Sequence, residues 1–259
     1  MLYFKFFKMH LKKISQYRLS LFLSLIAQSL TSVMAILTIY FLFDRFNIVK
    51  GWTFAQVSLS YAVAYLCFAF TECFFSGIDR FVMLVKSGQL DSFLIRPRGV
   101  LTQATCSNVE FSKLGRMIVG VVILVYTCTI QPFTWNFMKI FVLLSMLVCG
   151  VIIFFSLFLL GASISIFTID GIEVVNIFTD GGRELCQYPV DIYGKAVKNL
   201  FTYIIPFGCF NYLPMMYIFD IGNPTIWGNA LAPIYGMLFI IPSYIIFRLC
   251  LRKYVSTGS

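Results

Sequence analysis

The chain has 259 residues, 59% of them hydrophobic and only 12% charged, about half the charged share of roughly 25% in an ordinary soluble domain. Apolar stretches of about 20 residues recur along it, and the polar sequence between them is too short for a separate water-soluble domain. A soluble enzyme is therefore excluded and a polytopic membrane protein is indicated. The net charge of +9 would suggest nucleic acid in a soluble protein; here the basic residues cluster beside the apolar stretches, where topology accounts for them, and no nucleic-acid partner is expected. One histidine, His10, and eight cysteines without a C-x-x-C pair leave little raw material for metal or triad chemistry, so no catalytic, cofactor or metal site is expected.

Residues 1–18 place Lys5, Lys8 and Lys12 on one helical face and Leu2, Phe6, Phe7, Met9, Leu11 and Ile14 over much of the rest. This predicts an amphipathic helix lying along the membrane surface. The run 19–43 is long enough to cross a core of ~30 Å and is followed by no small-residue cleavage pattern, so it reads as a retained span. Further spans are expected at 54–75, 114–133, 140–167, 197–219 and 227–247. The expected fold is all-α: a single domain over 1–259 with six transmembrane helices.

Charges and polar groups within these runs are candidates for function. Glu72 lies near the end of the second span and reads equally as a helix-end charge or as a lateral-gate or ion-pair residue. Gln28, with Ser29 and Ser32, faces the interior in helix packing or a pathway. The fifth span holds Lys198, Pro206, Gly208, Asn211 and Pro214, which predicts a kinked or broken helix whose freed carbonyls face protein or a cavity. The preceding segment, 170–193, interleaves Asp170, Glu173, Asp180, Glu184 and Asp191 with apolar residues and reads as a solvated interfacial helix. Counting Lys and Arg on alternate sides assigns seventeen to the side of the termini, Arg183, Lys195 and Lys198 among them. Only Arg45, Lys50 and Lys139 fall on the other. Both termini are therefore expected in the cytoplasm.

Between the second and third spans, residues 86–97 form a short helix that Ser87 can cap and Pro97 ends, with Leu90, Phe93 and Leu94 on one face. Such a ridge suits docking in a groove of another protein, or packing onto the chain's own spans. The segment Gly88-Gln89-Leu90-Asp91-Ser92-Phe93-Leu94-Ile95-Arg96-Pro97 resembles the G-x-L-[DE]-x-L-L-x-x-P coupling-helix pattern of type-2 ABC transporter permeases, with Phe93 replacing a leucine. Tyr188-Pro189-Val190-Asp191-Ile192-Tyr193, Ile205-Pro206-Phe207 and Tyr212-Leu213-Pro214 look like one subfamily of them. The resemblance implies a coupling site at Gly88, Leu90, Asp91, Phe93, Leu94 and Pro97. It also implies a second permease chain, identical or related, and an ABC ATPase subunit that carries ATP and Mg. No G-x-x-x-x-G-K-[ST] loop occurs in this chain, so nucleotide chemistry is expected on that partner. The expected role is export of an amphiphilic or hydrophobic substrate across a bacterial cell membrane, amid membrane lipid. The alternative is a non-transport assembly or sensor subunit using the same helix.

Overall fold

Inside lipid, the backbone of so apolar a chain can satisfy its hydrogen bonds internally only as α-helix or closed barrel, and the computed structural model of this protein is helical almost throughout. It describes residues 6, 8–12, 16–130, 135–168, 172–221 and 226–255. Leu2, Lys5, Phe7, Ile14, Phe133 and Asp170 lie outside the described residues.

Helix α1 (Arg18–Phe46) leads through a hairpin of β1 (Ile48–Val49) and β2 (Trp52–Thr53), paired antiparallel, into α2 (Phe54–Asp79). Gln56 starts α2 by accepting the Thr53 N–H at 3.0 Å, half of a capping box. Short helices α3 (Phe81–Lys86), α4 (Gln89–Ile95) and α5 (Val100–Ser107) follow. A 3₁₀ turn, Phe111–Lys113, then opens α6 (Leu114–Ile130), and α7 (Phe137–Ser165) returns. After α8 (Ile172–Leu185) the chain is broken into short pieces until α12 (Ile226–Met237) and α13 (Ile240–Arg252). Among the described residues, five helical stretches are long and apolar enough to cross a bilayer: Arg18–Phe46, Phe54–Lys86, Phe111–Ile130, Phe137–Ser165 and Gly228–Arg252. The last bends between α12 and α13, where Pro242 supplies no N–H to the Leu238 carbonyl one turn earlier.

Helix α2 is the most buried of the five and carries the core. Gly115 of α6 sits against the Leu25 carbonyl of α1. Cys67 and Thr71 of α2 bond the Leu147 and Val151 carbonyls of α7, so α2 and α7 run parallel. Phe68 packs edge-on against Phe154 and Phe158. The bundle thus has two ends, one at the β1–β2 hairpin and one at α4.

The segment 197–219 differs from the expected fifth span. It comprises the end of α9 (Lys195–Asn199), a π-helical turn (Leu200–Ile204), α10 (Phe207–Phe210) and α11 (Tyr212–Ile218). Both its ends lie at the hairpin end. Lys198 pairs with Asp191 at 2.6 Å and Lys50 donates to the Ile192 carbonyl at 2.9 Å, while Tyr212 and Phe219 flank the Trp52 ring and Asp220 pairs with Lys139 at 2.8 Å. Between these anchors it dips into the bundle. Phe207 lies against Phe154, and Ile204 and Ile205 line a cavity with Leu157, Leu160 and Ile246. The segment is therefore a re-entrant loop that turns back at Ile205–Pro206. Pro214 breaks nothing, since it sits in the first turn of α11, where a missing N–H leaves no bond unmade.

The element that joins the two ends is α8. Gly182 packs under the Phe207 ring, Arg183 reaches the Tyr65 and Phe68 rings of α2, and Cys186, just beyond its end, meets Ser60 and Asn211. The expectation of a solvated interfacial helix is thus corrected: α8 packs into the bundle through Gly182, Arg183 and the adjoining Cys186, while Asp180 and Glu184 stay exposed. Lys195 and Lys198 accordingly move to the hairpin end and Arg183 to the interior, so among the described residues the basic side chains divide twelve to five between the α4 end and the hairpin end.

Candidate functional site

The α4 turn projects from its end of the bundle on a fixed support. Gly88 has φ of +66°, a left-handed conformation that glycine adopts without strain, and it caps α4 in place of Ser87. The Ser87 hydroxyl instead bonds back to the Met83 carbonyl at 2.7 Å. Arg96 is extended (φ −75°, ψ 143°), as the residue before Pro97 must be. Behind α4, Gln103 of α5 donates to the Phe93 and Arg98 carbonyls, both at 2.9 Å. α5 in turn lies so close to α2 that a Cβ at Gly77 would stand 2.0 Å from the Ala104 oxygen. The described part of the N-terminal helix, residues 8–12, docks on α5 through His10, whose Nε2 lies 3.3 Å from the Cys106 carbonyl. Burial there raises the Cys106 thiol above its ordinary pKa.

This support divides the expected ridge. Leu90 is fully buried (0% exposed) and Phe93 is half-buried, whereas Leu94 is exposed and Ile95 is 84% exposed. The free apolar surface is therefore the C-terminal tip of α4, Leu94–Ile95. Exposed Arg96, Pro97 and Arg98 follow it and Lys86 stands before it, while the Arg96 guanidinium lies 5.8 Å from the Phe93 ring. Asp91 is half-buried. Spacing alone missed Ile95 because it falls off the Leu90–Phe93–Leu94 stripe; the signal available was its position against two arginines.

Two buried polar groups hold helices together. Glu72 accepts from Lys113 Nζ and Arg116 Nη1, both at 2.7 Å, and all three side chains are largely buried. It is an ion-pair residue joining α2 to the start of α6. Asn211 is fully buried; it accepts from Ser60 Oγ at 2.9 Å and donates to the Cys186 carbonyl at 2.7 Å, fastening the re-entrant loop to α2 and to the end of α8.

A third group was not foreseen. The Arg183 guanidinium lies 4.9 Å from the Phe68 ring and 5.9 Å from the Tyr65 ring. Its Nε donates to Glu184 at 3.1 Å and Nη1 lies 3.5 Å from Asp180; Gln187 also donates to Glu184. Tyr65 continues the network to α1, its hydroxyl 3.0 Å from Ser32 Oγ, and Tyr61 donates to the Ser32 carbonyl at 3.0 Å. Gln28 lies one turn along α1, its carbonyl accepting from Ser32 and its Oε1 buried without a partner among the described residues.

A bundle of apolar helices with a rigid, exposed turn at one end and a re-entrant loop at the other is the architecture of a multi-pass membrane protein. A family model described as "ABC-2 family transporter protein" matches residues 29–258, and the chain belongs to that family. It is the membrane permease subunit of an ABC transporter, a transport component whose family membership implies association with an ABC ATPase. No curated protein and no solved structure matched it.

Proposed function

We propose that this permease couples ATP hydrolysis on a separate ABC ATPase, which holds ATP and Mg, to outward movement of an amphiphilic or hydrophobic substrate. A second permease chain completes the translocation path. The α4 end and both termini face the cytoplasm, and the tip of α4 docks on the ATPase. The observation that carries this reading is the Leu94–Ile95 tip, apolar and exposed on a support tied to α2 and α5. A hydrophobic knob with basic flanks, held rigidly, can transmit a partner's motion to the helix carrying the core. The twelve-to-five division of the described basic residues supports the orientation.

The test is copurification. A tagged chain is expected to bring down a Walker-motif ATPase and to stimulate its ATP hydrolysis; a chain that purifies without one argues for an assembly or sensor subunit. Topology has its own readout. In intact cells an impermeant maleimide is expected to label Lys195→Cys above the native-thiol background and to leave Gln89→Cys unmodified. Prompt labelling at Gln89 would invert the orientation and with it the coupling assignment.

A further inference from the structure

A cavity of about 380 Å³ lies between α4, α5 and the N-terminal segment, lined by Phe6, Phe93, Arg96, Pro97, Arg98 and Gln103 among others. Its volume is that of a small-ligand site. Arg96 and Arg98 are exposed, and among the described residues neither forms a salt bridge with a carboxylate. Each offers a planar donor fork that matches a phosphate. Gln103 is only 8% exposed. Both hydrogens of its Nε2 are committed, to the Phe93 and Arg98 carbonyls, so the amide orientation is fixed and Oε1 remains an open acceptor. That oxygen is buried and has no partner among the described residues. The carbonyls that hold the amide belong to two residues of the cavity lining, which sets Oε1 in the same wall as the arginines. A buried acceptor left open is costly, and a donor on a bound molecule would satisfy it.

The surroundings indicate where such a molecule comes from. Residues 8–12 dock on α5 through His10 and leave Lys8, Met9, Leu11 and Lys12 exposed. A mixed cationic and apolar surface of this kind lies at the headgroup level of a bilayer and attracts anionic lipid. Phe6 of the same segment forms part of the cavity wall. We propose that the cavity binds the headgroup of an anionic glycerophospholipid, with its phosphate diester on Arg96 and Arg98 and a headgroup hydroxyl donating to Gln103 Oε1. Phe6 and Phe93 receive the glycerol and the start of the acyl chains. The recognised chemistry is a phosphate ester bearing a hydroxyl, and the membrane is its source. A lipid seated there bridges the N-terminal segment, α4 and α5, and so becomes part of the support of the Leu94–Ile95 tip.

The intact protein, delipidated and with whatever partners copurify, is titrated in detergent with single lipids, and bound lipid is counted by native mass spectrometry. Phosphatidylglycerol carries the charge and hydroxyls, phosphatidylethanol the same charge without a hydroxyl, and phosphatidylcholine neither a net charge nor a hydroxyl. The first phosphatidylglycerol is expected to bind about three- to tenfold more tightly than phosphatidylethanol, the worth of one net hydrogen bond, and phosphatidylcholine most weakly. Arg96→Gln combined with Arg98→Gln should remove the preference for anionic lipid, a loss of about tenfold or more. Gln103→Met should erase only the difference between phosphatidylglycerol and phosphatidylethanol. Equal binding of phosphatidylglycerol and phosphatidylcholine, equal binding of the two anionic lipids, or a preference unchanged in the double arginine variant would each overturn the proposal. Glycerol 1-phosphate, the soluble arm, is expected to displace the lipid only weakly; displacement at the lipid's own affinity would overturn the membrane as the source. Loss of a copurifying ATPase from the double variant with its lipid preference intact would assign the arginines to that partner instead. Should Gln103→Met fail to fold, because it loses the bonds that hold α4, the comparison of the two anionic lipids on the unmodified protein still decides. None of these outcomes depends on ATP coupling or on the direction of transport.

Discussion

Replacing Ile95 with aspartate is expected to detach the ATPase and leave the permease folded. Ile95 is the most exposed apolar residue of α4, at 84%, so the substitution costs the chain's own stability little. Burying an isoleucine in a partner's groove is worth about 1.5–3 kcal/mol, and a buried carboxylate adds a penalty, so affinity should fall by roughly one to two orders of magnitude. Leu90→Ala is the informative contrast. Leu90 is wholly buried, and a large-to-small change there costs about 2–5 kcal/mol of fold stability, so expression and thermal stability should fall while any surviving protein still binds. Phe93→Asp would confound the two, because Phe93 is half-buried and Gln103 bonds its carbonyl. The measurement is the ATPase-to-permease ratio after copurification, with ATP hydrolysis at equal permease. Wild-type assembly in the Ile95→Asp protein would remove the α4 tip as the docking site.

Glu72→Ala should be the most damaging single change inside the bundle. It leaves Lys113 and Arg116, both largely buried, without their shared counter-ion. Breaking a buried pair in this way costs about 3–5 kcal/mol, because an uncompensated charge remains. The cost should appear as a large drop in the melting temperature of the purified protein and in its yield. Replacing Glu72, Lys113 and Arg116 together with leucine should recover much of the loss, since the expense lies in the orphaned charges more than in the pairing itself. An Glu72→Ala protein as stable as the parent would mean that water reaches the two cations.

The membrane class, the all-α architecture and the family resemblance were legible in the sequence because they rest on local quantities. Hydropathy over about 20 residues is fixed by composition, and the stop at Pro97 is set by backbone sterics, whereas the cap expected at Ser87 falls to Gly88. The second hydrophobic layer was not legible. An amphipathic helix such as α8 has the same periodicity whether its polar face meets bulk water or a polar group within the bundle. Hydropathy counts Arg183 as an isolated charge, yet Asp180, Glu184 and two aromatic rings offset it in the folded chain. By the same averaging, 197–219 read as one span although its two ends return to the same side through the Lys198–Asp191 and Lys139–Asp220 pairs. Leu90 and Ile95 are both aliphatic residues of one short helix. What made the first a core residue and the second a free knob was the packing of α5 and α2 behind α4, contacts that exist only once segments distant in the chain have met.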